Sequence, residues 1–101
     1  MQVYLYMLIQ PYHIVRATAL AQAFGVTRLL LFGSSLENLS TANDLDLAVE
    51  GLPDKRFFAL AAQLEEELHI SVDLVPLDPP TPFSTYIERR AKVLYDHRTT
   101  P

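Results

Sequence analysis

Two aspartates stand two residues apart in the segment DLDLAVE, where strand alternation would put Asp44, Asp46, Ala48 and Glu50 on one face and Leu45, Leu47 and Val49 on the other. A third carboxylate, Asp73, is the only charge inside the apolar run 70–77, where an unpaired buried charge would be costly. Carboxylate oxygens suit a hard divalent cation that keeps some coordination sites for substrate. Such ions can lower the pKa of an attacking hydroxyl and steady a leaving pyrophosphate. Upstream, the apolar run 26–32 ends in Gly33-Ser34, and residues 35–43 separate Ser34 from Asp44. A glycine there lets the backbone approach a phosphate, and a helix beginning at Ser34 would turn free amides and a hydroxyl toward an anion. Together these residues describe a phosphate cradle beside a Mg²⁺ site.

The elements that must position them follow from spacing and punctuation. Pro11 suits a first helical turn, Ile14, Ala17, Leu20, Ala21 and Phe24 recur at helical spacing, and Gly25 offers a stop, which predicts an amphipathic helix over 11–24. Residues 26–32 read as a strand buried on both faces. Residues 40–43 are turn material, 44–50 a strand closed by Gly51 and Pro53, and 54–69 a helix with Phe57, Leu60, Ala61, Leu64 and Leu68 on its buried stripe. That helix carries Lys55 and Arg56 early and Glu65, Glu66 and Glu67 late, against its dipole. Residues 70–77 form the third strand, the prolines of 78–82 a loop, 83–91 a short helix and 92–95 a short strand. The fold class is α/β (α+β): a small mixed sheet flanked by helices.

Size and charge narrow the class further. With 101 residues, half of them apolar, the chain reads as a single domain over 1–101 with one modest core. There is no cysteine, so no disulfide framework or thiolate zinc site, in keeping with a cytoplasmic protein. The opening MQVYLYMLI is too short to span a bilayer and lacks the flanks of a signal peptide, so residues 1–10 read as an apolar N-terminal segment and no membrane partner is expected. The net charge is −4, and the stretch from Asp44 to Asp73 holds eight acidic residues against two basic ones. That balance argues against direct nucleic-acid binding and for a cation.

On Gly33-Ser34, the spacer, Asp44-x-Asp46, the later Asp73 and the ending IERRAKVLYD, the chain resembles the minimal nucleotidyltransferase (MNT) domains of the DNA polymerase β-like superfamily over roughly residues 11–96. The resemblance implies a nucleotidyltransferase fold in which Gly33 and Ser34 hold the triphosphate. It also implies that Asp44, Asp46 and Asp73 are the catalytic carboxylates around Mg²⁺, with Asp73 the base for the acceptor hydroxyl. ATP would be the donor, AMP the transferred group and pyrophosphate the product. The acceptor would be a hydroxyl of a protein partner, a HEPN-domain toxin whose antitoxin this chain would be. Two departures carry the alternative of a catalytically impaired antitoxin that occludes its toxin. The spacer is nine residues where ten are usual, and Leu36 and Glu37 stand where small and basic residues usually follow the Gly-Ser.

Other residues read more plainly. His13, His69 and His97 have no metal-ligand spacing and suit surface or helix-end positions. Ser34 and Ser35 lack the G-x-S-x-G of a hydrolase elbow. Tyr4, Tyr6, Met7 and Leu8 suit core packing, a partner or self-association. Arg89, Arg90 and Lys92 are expected on a solvated face, with a nucleotide or acidic partner as the sharper alternative, and the run Glu65 to Glu67 is expected at a solvated helix end.

Overall fold

The fold follows from the same punctuation. In a computed structural model, which describes residues 9–38, 42 and 44–98, Pro11 opens helix α1 (Pro11–Phe24) and Gly25, at φ +92°, closes it in the left-handed conformation that favours glycine. Strand β1 (Arg28–Leu31) leads into a single helical turn, α2 (Ser34–Glu37), and then β2 (Asp44–Glu50). Helix α3 (Asp54–Leu68) crosses over to β3 (Ser71–Pro76), and α4 (Pro82–Arg90) precedes β4 (Lys92–Asp96). Thr81 caps α4 by accepting from the Ser84 amide at 3.0 Å, with Pro82 in the first turn. The expectations placed on residues 1–8, on 39–41 and 43 of the turn, and on 99–101 of the tail lie outside the described residues. Ile9 is buried, the His97 amide donates to the Thr27 carbonyl at 2.7 Å, and Arg98 is bonded through its amide and side chain to Asp96.

The four strands of the described residues form one sheet in the order β3-β2-β1-β4. β1 is antiparallel to both β2 and β4, and β2 is parallel to β3, so the sheet is mixed. The register sets Arg28 opposite Glu50, Leu31 opposite Leu47 and Asp46 beside Asp73.

Alternation then separates two faces. Leu29, Leu31, Leu45, Leu47 and Val49 meet Ala17 and Ala21 of α1 and Leu60, Leu64 and Leu68 of α3 in the larger core. On the other face Leu30 and Ala48 meet Leu77 and Ile87, the latter from α4. Arg28 fastens α4 there: its side chain, 11% exposed, is ion-paired to Glu50 and to Glu88, each at 2.5 Å. Three of the five charges set against the α3 dipole make tertiary contacts. Arg56 donates to the Phe24 carbonyl at the end of α1 at 2.9 Å, Glu65 accepts from the Val72 amide at 3.0 Å, and Glu67 accepts from Arg16 at 3.2 Å and Gln63 at 3.0 Å. The glutamate run is thus a docking seam between α3 and its neighbours as well as a helix end.

Candidate functional site

The carboxylates lie on the α4 face, toward the end of the sheet where β2 and β3 begin. Alternation turns Asp44 and Asp46 to that side, and the parallel register sets Asp73 beside Asp46 on the adjoining strand. Asp44 and Asp73 are exposed, and Asp46 is partly buried. The Asp46 carboxyl is pushed above its ordinary pKa, first by desolvation and then by the negative charges of Asp73 and Asp44. Hydrogen bonds from the Ser35 side of the turn and from Ser34 pull in the opposite direction without winning.

The turn that carries Gly33 and Ser34 meets the Asp46 carboxylate directly. Gly33 sits at φ +69° as the residue before α2, and a Cβ built on it would run into the Asp46 carboxylate. Two independent constraints, the backbone angle and the close approach, therefore call for glycine. The Ser34 hydroxyl faces Asp46 Oδ2 at 3.5 Å, the long limit of a hydrogen bond. Within α2 the Leu36 and Glu37 amides donate back to the Gly33 carbonyl at 3.1 and 3.2 Å, so the amides of Ser34 and Ser35 are the ones with no carbonyl to meet inside the turn.

Ser35 is the residue that sequence reasoning missed. It is buried; its hydroxyl donates to the Phe32 carbonyl at 2.9 Å and accepts from the Asp46 amide at 3.1 Å. The Phe32 amide donates to the Asp46 carbonyl at 3.0 Å. These bonds extend the β1–β2 pairing past the end of β1 and couple the turn to the strand bearing Asp46. A second serine after Gly-Ser signals little by itself, because a buried and an exposed serine read alike in sequence.

The oxygen donors of Asp44, Asp46 and Asp73 suit a hard divalent cation, and after desolvation the charges of Asp73 and Asp44 add to the rise in the Asp46 pKa. Among the described residues, however, no three His, Asp or Glu side chains converge into a ready-made metal cage. The carboxylates share a face and an electrostatic field without closing on one point.

Beside Gly33 a cleft of about 320 Å³ opens between α2 and α4, lined by Leu36, Glu37, Phe83, Tyr86 and Arg90 among others. Arg89, Arg90 and Lys92 are exposed, as expected, and Arg90 also lines this cleft; His69 and His97 are exposed too, whereas His13 is buried in the first turn of α1.

No protein-family model matches the sequence, and no curated protein matches it. Solved structures do match in fold. A structure of a tri-AMPylated Shewanella oneidensis HEPN toxin in complex with its MNT antitoxin aligns at TM-score 0.69 and 23% identity, covering 87% of this chain and 73% of that one. A toxin–antitoxin structure with AMP-PNP aligns at 0.70 and 24%, over 82% and 73%. A MntA–HepT toxin–antitoxin complex aligns at 0.67 and 22%, over 86% and 73%. The mixed sheet and its helices are thus the nucleotidyltransferase fold of the MNT proteins. No helix among the described residues is long and apolar enough to cross a membrane.

Proposed function

We propose that this chain is a minimal nucleotidyltransferase of the cytoplasm that moves AMP from ATP onto a hydroxyl of a protein partner, and that the partner is a HEPN-type toxin for which it serves as antitoxin. The observation that carries the reading is the contact between a glycine-only turn and a carboxylate of raised pKa, with two further carboxylates on the same sheet face. Neighbours in fold that pair MNT antitoxin with HEPN toxin, one of them AMPylated and one holding AMP-PNP, support the choice of donor and partner.

In this mechanism Gly33 lets the Asp46 carboxylate close on the turn, and the Ser34 amide and hydroxyl donate to the oxygens of the triphosphate. Asp44, Asp46 and Asp73 would hold Mg²⁺, which would offset phosphate charge and acidify the acceptor hydroxyl. Asp73, exposed beside Asp46, accepts the proton of that hydroxyl as its oxygen bonds to the α-phosphorus, and the bond to the departing pyrophosphate breaks. Asp46, anchored through its amide to Ser35, keeps its carboxylate against the turn throughout.

Titration calorimetry with ATP, in Mg²⁺ and then in EDTA, tests the site. Binding should require the metal and be lost in Asp44→Asn, and Asp46→Asn should abolish labelling of a co-expressed toxin by ATP labelled in its α-phosphate. Labelling that survives both substitutions would remove the assigned carboxylates. A second reading, an antitoxin that neutralises by occlusion, is favoured by one observation: Glu37 places a negative charge beside the turn meant for phosphate. It predicts full neutralisation of the toxin by the Asp44→Asn protein.

A further inference from the structure

We propose that a small cavity at the far ends of β2 and β3 is a docking pocket for an arginine side chain of a protein partner. It lies apart from the nucleotide site and does not depend on it. Asp44, Asp46 and Asp73 stand in the first halves of these two parallel strands, whereas Val49 and Pro76, near their other ends, line the cavity. At about 210 Å³ it falls below the roughly 300–1,000 Å³ of small-molecule sites and suits one inserted side chain.

Its walls are apolar, and its charge is of one sign. Leu52, Phe57 and Phe58 line it with Val49, and the two rings meet edge-on at 5.3 Å between centroids. Phe58 is 68% exposed, on the helix whose Leu60, Leu64 and Leu68 are buried. Asp54 and Asp78 are the charged residues of the lining, and neither is ion-paired among the described residues. Arg56, two residues from Asp54, is engaged with the Phe24 carbonyl and ring and does not line the cavity. The Asp78 carboxylate is oriented by the Gly51 amide, which donates to both of its oxygens at 3.4 Å.

Aromatic rings beside unpaired carboxylates are the complement of a guanidinium. It is planar, stacks on rings, forks onto carboxylates and is more weakly hydrated than an ammonium, while its stem covers apolar surface. Arginine is also among the residues that anchor protein interfaces from within pockets. The chain's net charge of −4 favours the approach of a basic partner surface.

The test follows amide chemical shifts of the full chain during titration with N-acetyl-L-argininamide, which reproduces an arginine within a polypeptide. Its neutral isostere N-acetyl-L-citrullinamide, N-acetyl-L-lysinamide and free L-arginine are run alongside. Saturating shifts are expected at Gly51, Leu52, Phe57 and Phe58 with the argininamide and not with the citrullinamide. Phe58→Ala should weaken binding about threefold, and the double variant Asp54→Asn, Asp78→Asn about tenfold. Undisturbed shifts in α1 and β1 of these variants report an intact fold. No saturating shift at these residues, or an equal response to the citrullinamide, would overturn the pocket. Equal binding of the lysinamide would overturn the choice of arginine, and tighter binding of free arginine would overturn docking in favour of a free amino acid. Shifts of the same residues with protein concentration alone would replace the partner's arginine by a second copy of this chain.

Discussion

The two faces of the sheet are built on opposite principles. The α1/α3 face is leucine packed on leucine, with strand and helix side chains closing over one another. The α4 face carries only a small apolar patch, between an ion-paired arginine at one end and a group of mutually repelling aspartates at the other. The first face makes the fold stable. The second is tolerated because the first is sufficient, and the charges that weaken it are the ones able to do chemistry.

The largest way to break this contrast is to open the dry face. Leu47→Ala removes a fully buried side chain from the larger core and should cost about 3 kcal/mol in urea unfolding. A loss below about 1 kcal/mol would mean that this core repacks and is not the main source of stability. On the other face Arg28→Met should cost about 2 kcal/mol, since Glu50 and Glu88 lose their shared partner; Glu88 lies at the surface, which keeps the figure below that of a fully buried network. Equal stability of the Arg28→Met protein and the parent would show that α4 docks by Ile87 alone.

A pH scan sharpens the comparison on the dry side. His13 is buried, and desolvation holds its pKa below the ordinary 6.5. The Nδ1 atom accepts from the Gln10 amide at 2.8 Å, and Nε2 has no partner among the described residues. The unfolded chain therefore takes up a proton more readily than the folded one as pH falls through about 6.5, so folding stability should drop on acidification by at most about 1.4 kcal/mol per pH unit. His13→Gln should flatten that slope between pH 7 and 5; an unchanged slope would assign it to other groups.

The smallest effect has the opposite sign. Asp46→Asn relieves desolvation and repulsion by Asp73 and Asp44, so at neutral pH the variant should be more stable by about 0.5–1 kcal/mol. The gain belongs to pH values above the raised pKa of Asp46, where the parent's carboxyl is ionised, and should vanish as acid protonates it. A variant less stable than the parent at pH 7 would mean that Asp46 is held by bonds worth more than its repulsion.

Much of this architecture was legible where chain punctuation and alternation agree. The bounds of α1 and β2 match the expected 11–24 and 44–50, because Pro11 with Gly25, and alternation closed by Gly51, leave little choice. The other strands and helices fall within one or two residues of their expected limits. The short link between the first two strands made an antiparallel pair the natural reading, and a helix between the second and third allowed a parallel one. Shared orientation of Asp44, Asp46 and Asp73 also follows from alternation once the register is known. Partners distant in sequence were not legible. Arg28 finds Glu88 sixty residues away and Arg56 finds the end of α1 thirty-two residues away, and neither pairing leaves a periodic trace. The cleft likewise depends on how α4 is laid across the sheet, which no local pattern of PFSTYIERR reveals.

The Ser35 hydroxyl bridges the Phe32 carbonyl and the Asp46 amide, and its consequence is a tolerance of insertion and deletion. Because the turn and the strand are fastened to each other on either side of the connecting chain, the length of that connection does not set what Asp46 faces.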